Sequence, residues 1–162
     1  MRIFLRCFLI ILIIGPCIFP QNSATSVAIV TDEDGVVTTV YGLQAKYEAS
    51  GMWLGRRPTK IAPVLGIIKE TREGRIAALE EVQIKFSEIR KITCNRESPN
   101  VISGYKIELR DGTSFLDSNF VLGEYNGVPL KLEGFLGKAK MSTGKTGEFY
   151  ITILDFLTIE FK

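Results

Sequence analysis

One segment of the chain spells a nucleotide-binding pattern: Ala139-Lys140-Met141-Ser142-Thr143-Gly144-Lys145-Thr146. It fits the relaxed phosphate-binding loop, with Ala139 where the strict form has Gly. Such a loop works by opening a helix, whose first N–H groups hold the phosphate. Here Gly147 leads instead into Phe149-Tyr150-Ile151-Thr152-Ile153, an alternating strand pattern. The expectation is a Gly-rich hairpin turn with Lys140 and Lys145 in solvent, and no nucleotide. Asp32-Glu33-Asp34-Gly35 gathers carboxylates as a hard cation would want, but a calcium loop needs Gly at its sixth position and Glu at its twelfth. A hairpin turn is the expectation there, with no metal site. Carboxylates at Glu80 and Glu81, or at Asp111 and Asp117, could serve acid-base chemistry if the fold paired them. The chain of 162 residues contains no His, which excludes imidazole bases, imidazole metal ligands and Ser-His-Asp relays. No residue is assigned a catalytic role and no cofactor is called for.

A different chemistry attaches to residues 49–60, Ala-Ser-Gly-Met-Trp-Leu-Gly-Arg-Arg-Pro-Thr-Lys. The single Trp stands beside two cations, and Gly51, Gly55 and Pro58 punctuate the backbone. An aromatic anchor flanked by guanidinium groups suits a polymer, a lipid headgroup or a partner protein. Trp53, Arg56 and Arg57 are therefore the candidate binding residues. The competing reading folds Trp53 back as a lid on one end of the core.

The elements that must position these residues are strands. Short alternating apolar stretches are separated by Gly, Asp, Asn and Pro, an all-β signature. Residues 27–31 and 36–41 flank the Asp32–Gly35 turn, and 105–109 and 114–116 flank Arg110-Asp111-Gly112-Thr113. Each half then ends alike. Residues 82–94 align without gaps on 149–161, matching Val82 with Phe149, Ile84 with Ile151, Phe86 with Ile153, Ile89 with Phe156, Ile92 with Ile159 and Cys94 with Phe161. Such self-similarity predicts a duplicated strand-turn-strand unit. Two units, 27–97 and 98–162, would share one core, since a unit of about 65 residues is marginal alone. The result is a small all-β barrel or sandwich. Ile76, Leu79, Val82, Phe86 and Ile89 also fall on one helical face, so a short helix over 75–81 competes for that stretch. From Gly35 to Ile84 the first half runs about ten residues longer than the second from Gly112 to Ile151, and 49–60 is the expected seat of the excess.

The paired Asp-Gly hairpins and the shared terminal strand followed by Ile-x-x-Ile (Ile89 to Ile92) resemble small β-barrel or β-roll modules of exported bacterial proteins. The resemblance covers residues 27–162 in outline, implies an exported β-rich module and carries over no functional residues.

Location is read from the other end. Arg2 and Arg6 precede the apolar run Phe8 to Ile14, then Gly15, Pro16 and a small polar stretch: the three regions of a secretory signal. The run is shorter than the roughly 20 residues that cross a bilayer, so an anchored form is the lesser alternative. The mature chain is expected to begin between Ile18 and Val27. Cys17 follows Pro16, where a lipobox places a small residue, so lipidation is not expected. Residues 1–26 hold two of the 20 basic residues and no acidic one, leaving 18 of each sign and a neutral mature chain. Neutrality argues against nucleic acid, which selects a basic excess. Cys94 alone survives cleavage, and its alternation with Ile92 predicts a buried thiol. The reading is an exported, periplasmic or extracellular, non-enzymatic binding or structural module of the cell envelope; its partner is a protein, a polysaccharide or a membrane surface. An enzyme with a carboxylate site is the alternative.

Overall fold

A computed structural model describes residues 26–51, 55–73, 76–98, 101–117, 119–140 and 144–162, with backbone alone over 70–79. The leader lies outside these residues. The fold is all-β. Twelve strands are described: β1 (Val27–Asp32), β2 (Val37–Ala49), β3 (Thr59–Ala62), β4 (Val64–Glu73), β5 (Ile76–Lys85), β6 (Ile89–Ser98), β7 (Val101–Leu109), β8 (Ser114–Asp117), β9 (Val121–Tyr125), β10 (Val128–Lys140), β11 (Thr146–Thr152) and β12 (Phe156–Phe161). The only helical residues among them form one 3-10 turn, Phe86–Glu88. The helix weighed for 75–81 is not there, because Ile76–Lys85 is strand, paired along its length with β4. The helical spacing of its apolar residues was a coincidence that the local Ala and Glu content reinforced.

All pairings among the described strands are antiparallel, in open sheets with a sandwich-like arrangement. The main path runs β11-β10-β2-β1-β12-β6-β7-β8, with β3 on β2 and β9 on β10, and β4-β5 forms a separate pair. A single bridge, Ile67 to Phe120, ties that pair to the main sheet. The central stretch β2-β1-β12-β6-β7-β8 reads the same from either end when strands six apart in chain order are exchanged. Its registers follow suit. Ile159 faces Val30 and Ile92 faces Ile107; Phe161 faces Ala28 and Cys94 faces Tyr105. At the middle, Ile92 faces Ile159. The hydrogen bonds outside the ladders repeat as well: Glu33 N–H donates to Asp155 O at 2.8 Å and Arg110 N–H to Glu88 O at 2.9 Å, while Gly35 and Gly112 close their turns on Asp32 O and Leu109 O.

In the segments 82–94 and 149–161, Ile84, Phe86, Ile89, Ile92 and Cys94 are buried, as are Ile151, Phe156, Ile159 and Phe161, and Ile153 is half-buried against the same core. That core is one cluster with strands from every part of the chain. Its aromatic centre has Phe86 at 4.9 Å from Phe161, Tyr105 at 5.2 Å from Phe120, and Phe156 at 5.6 Å from both Tyr105 and Phe135. Leu65 and Phe135 hold equivalent places, facing Ile84 and Ile151. The offset between corresponding residues is 77 at the hairpins (Gly35, Gly112), 70 here and 67 at Ile84 and Ile151. Seven extra residues thus fall between Gly35 and Leu65, and three between Leu65 and Ile84.

Candidate functional site

The loop between β2 and β3 has a tied base, where Ala49 N–H donates to Pro58 O at 3.0 Å. Within it Gly51 and Gly55 take positive φ, 120° and 77°, conformations that a side chain would oppose. Arg56 and Arg57 are both exposed. Arg57 Nη1 stands 3.7 Å from Glu48 Oε2, a loose surface pair that fixes little. Trp53, the third candidate, lies outside the described residues together with Met52 and Leu54.

The loop base opens onto a depression of about 150 Å³ lined by Ala49, Ser50, Gly51, Pro58 and, from the opposite turn, Tyr125, Asn126 and Val128. That opposite turn is the β9-β10 hairpin. Asn126 and Gly127 have φ of 50° and 76°, the paired left-handed conformation of a two-residue hairpin. By the offsets of 77 and 70, which match Glu48 to Tyr125 and Pro58 to Val128, it is the counterpart of the β2-β3 loop, so the long connection and the short one meet at one end of the molecule. Tyr125 is 41% exposed and adds an aromatic face across the depression from the loop base. The sequence reading missed it. The signal was present as Asn126-Gly127 between Tyr125 and Val128, a hairpin that would have placed the tyrosine at a strand end.

A second polar group sits on the outward side of β2, β10 and β11. Lys46 Nζ lies 2.7 Å from Glu48 Oε1 and 3.3 Å from Glu133 Oε2, and 5.4 Å above the Tyr150 ring. The Tyr150 hydroxyl donates to Glu133. Gly134 makes this possible, because a Cβ there would come within 2.3 Å of Ile151 O and 3.1 Å of the Tyr150 ring. The hydrogen bond from Lys46 to Glu48 raises the ammonium pKa, and burial followed by the Glu133 bond raises that of the Tyr150 phenol. A lysine and a tyrosine that hold their protons more firmly than usual are a clamp between strands rather than an acid-base pair.

Three of the carboxylates considered for catalysis accept main-chain bonds. Glu81 Oε2 accepts from Gly123 N–H at 2.7 Å, Asp111 from Thr113 N–H at 2.8 Å and Asp117 from Asn119 N–H at 2.8 Å. Asp32 Oδ1 accepts from the N–H groups of Asp34 and Val36, which closes the β1-β2 turn. Lys140 and Thr146 face one another as the last and first pair of β10 and β11, so the nucleotide-like segment spans a hairpin. Cys94 is buried, and burial pushes its thiol pKa up, away from reactivity. No protein-family model, curated protein or solved structure matches this chain.

Proposed function

We propose that the chain is an exported, non-enzymatic binding module of the cell envelope, built from a duplicated β-unit, that captures its partner with the β2-β3 loop. Trp53 supplies the anchor, Arg56 and Arg57 the charge partners, and Tyr125 a second aromatic face across the depression. The observation that carries this reading is the exposure of both arginines on a long loop whose base shares a depression with its short counterpart. Extra chain length gathered at one end, on a scaffold whose remaining connections are short, is what a rigid frame presenting a recognition loop looks like. The leader expected over residues 1–26 supports export, and no helix among the described residues is long and apolar enough to cross a membrane. The resemblance to exported bacterial β-modules belongs to the same proposal.

The test is co-sedimentation of the mature chain with isolated cell-envelope fractions. Trp53→Ala and the double variant Arg56→Glu/Arg57→Glu should each cut retention by about tenfold or more, as loss of an anchor does. Their melting temperatures should stay within a degree or two of the parent. Unchanged retention in both variants would remove the loop from recognition, and a large loss of stability in Trp53→Ala would make Trp53 a structural lid.

A further inference from the structure

The path of strands begins at β11, and among the described strands β11 pairs with β10 alone. The phase of that ladder is fixed by Ile153 N–H, which donates to Glu133 O at 3.0 Å. Opposed residues in an antiparallel pair alternately exchange both main-chain bonds and none. Phe149 and Ile151 therefore turn their N–H and C=O groups toward β10, while Glu148 and Tyr150 turn theirs toward the open side. An edge of this kind is ordinarily blunted by shortness, a bulge, proline or clustered charge. At the other end of the path β8 is blunted by its length of four residues. In contrast, β11 is seven residues long, pairs through an unbroken register, contains no proline and carries one charge, Glu148.

A groove of about 330 Å³ runs along residues 149–152 of this strand, and its other wall is Asp32, Glu33, Asp34 and Asp155. No β10 residue lines it, which puts it on the open side. Arg96 reaches this wall, 3.7 Å from Glu33. Lys138 faces Glu148 across the ladder, and Lys140 and Lys145 lie at the far hairpin end. Among the described residues that line the groove, the charged ones are all acidic.

We propose that β11 is a docking edge for an extended cationic peptide segment, which adds to it as a further antiparallel strand and sets Lys or Arg side chains against Asp32, Asp34 and Asp155. The main-chain groups of Glu148 and Tyr150 give the register, and the carboxylate wall selects the charge. A second copy of this chain is disfavoured as the occupant, because its own β11 would bring the same acidic wall against this one. The site is separate from the β2-β3 loop, so either can fail without the other.

The probe is a fluorescent peptide of about eight residues alternating Lys and Val, long enough for a typical strand. It is titrated into the mature chain by anisotropy and by amide NMR. Binding should shift amides of 146–152 and 32–34, and a Glu-Val peptide should not bind. N-methylation of one alternate set of peptide residues should abolish binding, whereas methylation of the other set should leave it. Glu148→Pro removes an outward N–H without touching the β10 ladder and should weaken binding by about tenfold or more, as should Asp34→Lys. The methylated peptides keep the question open to refutation should either variant misfold. No binding, binding indifferent to methylation in both sets, or self-association through β11 in place of peptide capture would each overturn the proposal.

Discussion

Tyr47 shows how much one side chain can settle. It is fully buried, its hydroxyl donates to Val64 O at 3.0 Å and accepts from Gly66 N–H at 2.9 Å, and so it ties the start of β4 to β2 across the core. Tyr47→Phe leaves a buried N–H without its acceptor, and equilibrium unfolding should show a loss of roughly 1 to 3 kcal/mol. Burial pushes the phenol up to about 12 from its ordinary 10. The folded state thus holds the proton more tightly than the unfolded chain does. This stabilisation is complete below pH 10 and is lost as the pH rises through about 12. Alkaline unfolding of Tyr47→Phe should accordingly be shallower over that window than the parent's. Two arginines settle a smaller matter. Arg110 Nε donates to Ser87 O at 3.0 Å and Arg96 donates to Leu154 O, so the corresponding turns of the two strand-turn-strand segments are capped by guanidinium groups from unrelated positions.

At the scale of elements, close approach is what glycine provides. A Cβ on Gly66 would stand 2.0 Å from Val121 O, so β4 could not lie against β9 with any other residue there. Gly66→Ala should cost roughly 1 to 3 kcal/mol, measured by denaturant unfolding, with the loss expressed as separation of the β4-β5 pair from the main sheet. In hydrogen exchange, amides of β4 and β9 should lose protection before those of β6 and β12 do. The sequence made the two hairpins legible because Asp-Gly turns and alternation are local signals, and Asp32, Gly35, Asp111 and Gly112 sit where those signals place them. It made the segments 82–94 and 149–161 legible for the same reason. The roles of Gly66 and Gly134 were not legible, since each answers to a strand brought near by the fold rather than by the chain. The clamp of Lys46, Glu48, Glu133 and Tyr150 was hidden likewise, with partners from three strands. At the candidate site, Arg56 and Arg57 could be named from composition and punctuation, whereas Tyr125 meets the base of their loop through a hairpin distant in the chain.

Taken whole, the molecule interlocks its first and second runs of strands. β1 is bonded to β12 and β6 to β7, so neither run can leave without breaking ladders that belong to the other. Unfolding should be a single transition, with circular dichroism and tyrosine fluorescence changing together. Phe86→Ala, which removes a ring packed on both Phe161 and Phe135, should lower stability by about 3 to 5 kcal/mol without splitting that transition. Two separated transitions would show the runs to be independent.

The pairing of Ile92 with Ile159 carries a last consequence. Where a strand meets its own counterpart, a pair of identical units would place every neighbour of that position in two equivalent settings. Here the flanking settings differ: Lys91 meets Glu160, with an ion pair at 2.9 Å, while Thr93 meets Thr158. A side chain and its twin could not have taken these unlike partners if both were encoded once. Joined in one polypeptide, the two strands are free to differ, so that one flank is ionic and the other neutral. The seam gains a polarity that self-complementarity forbids.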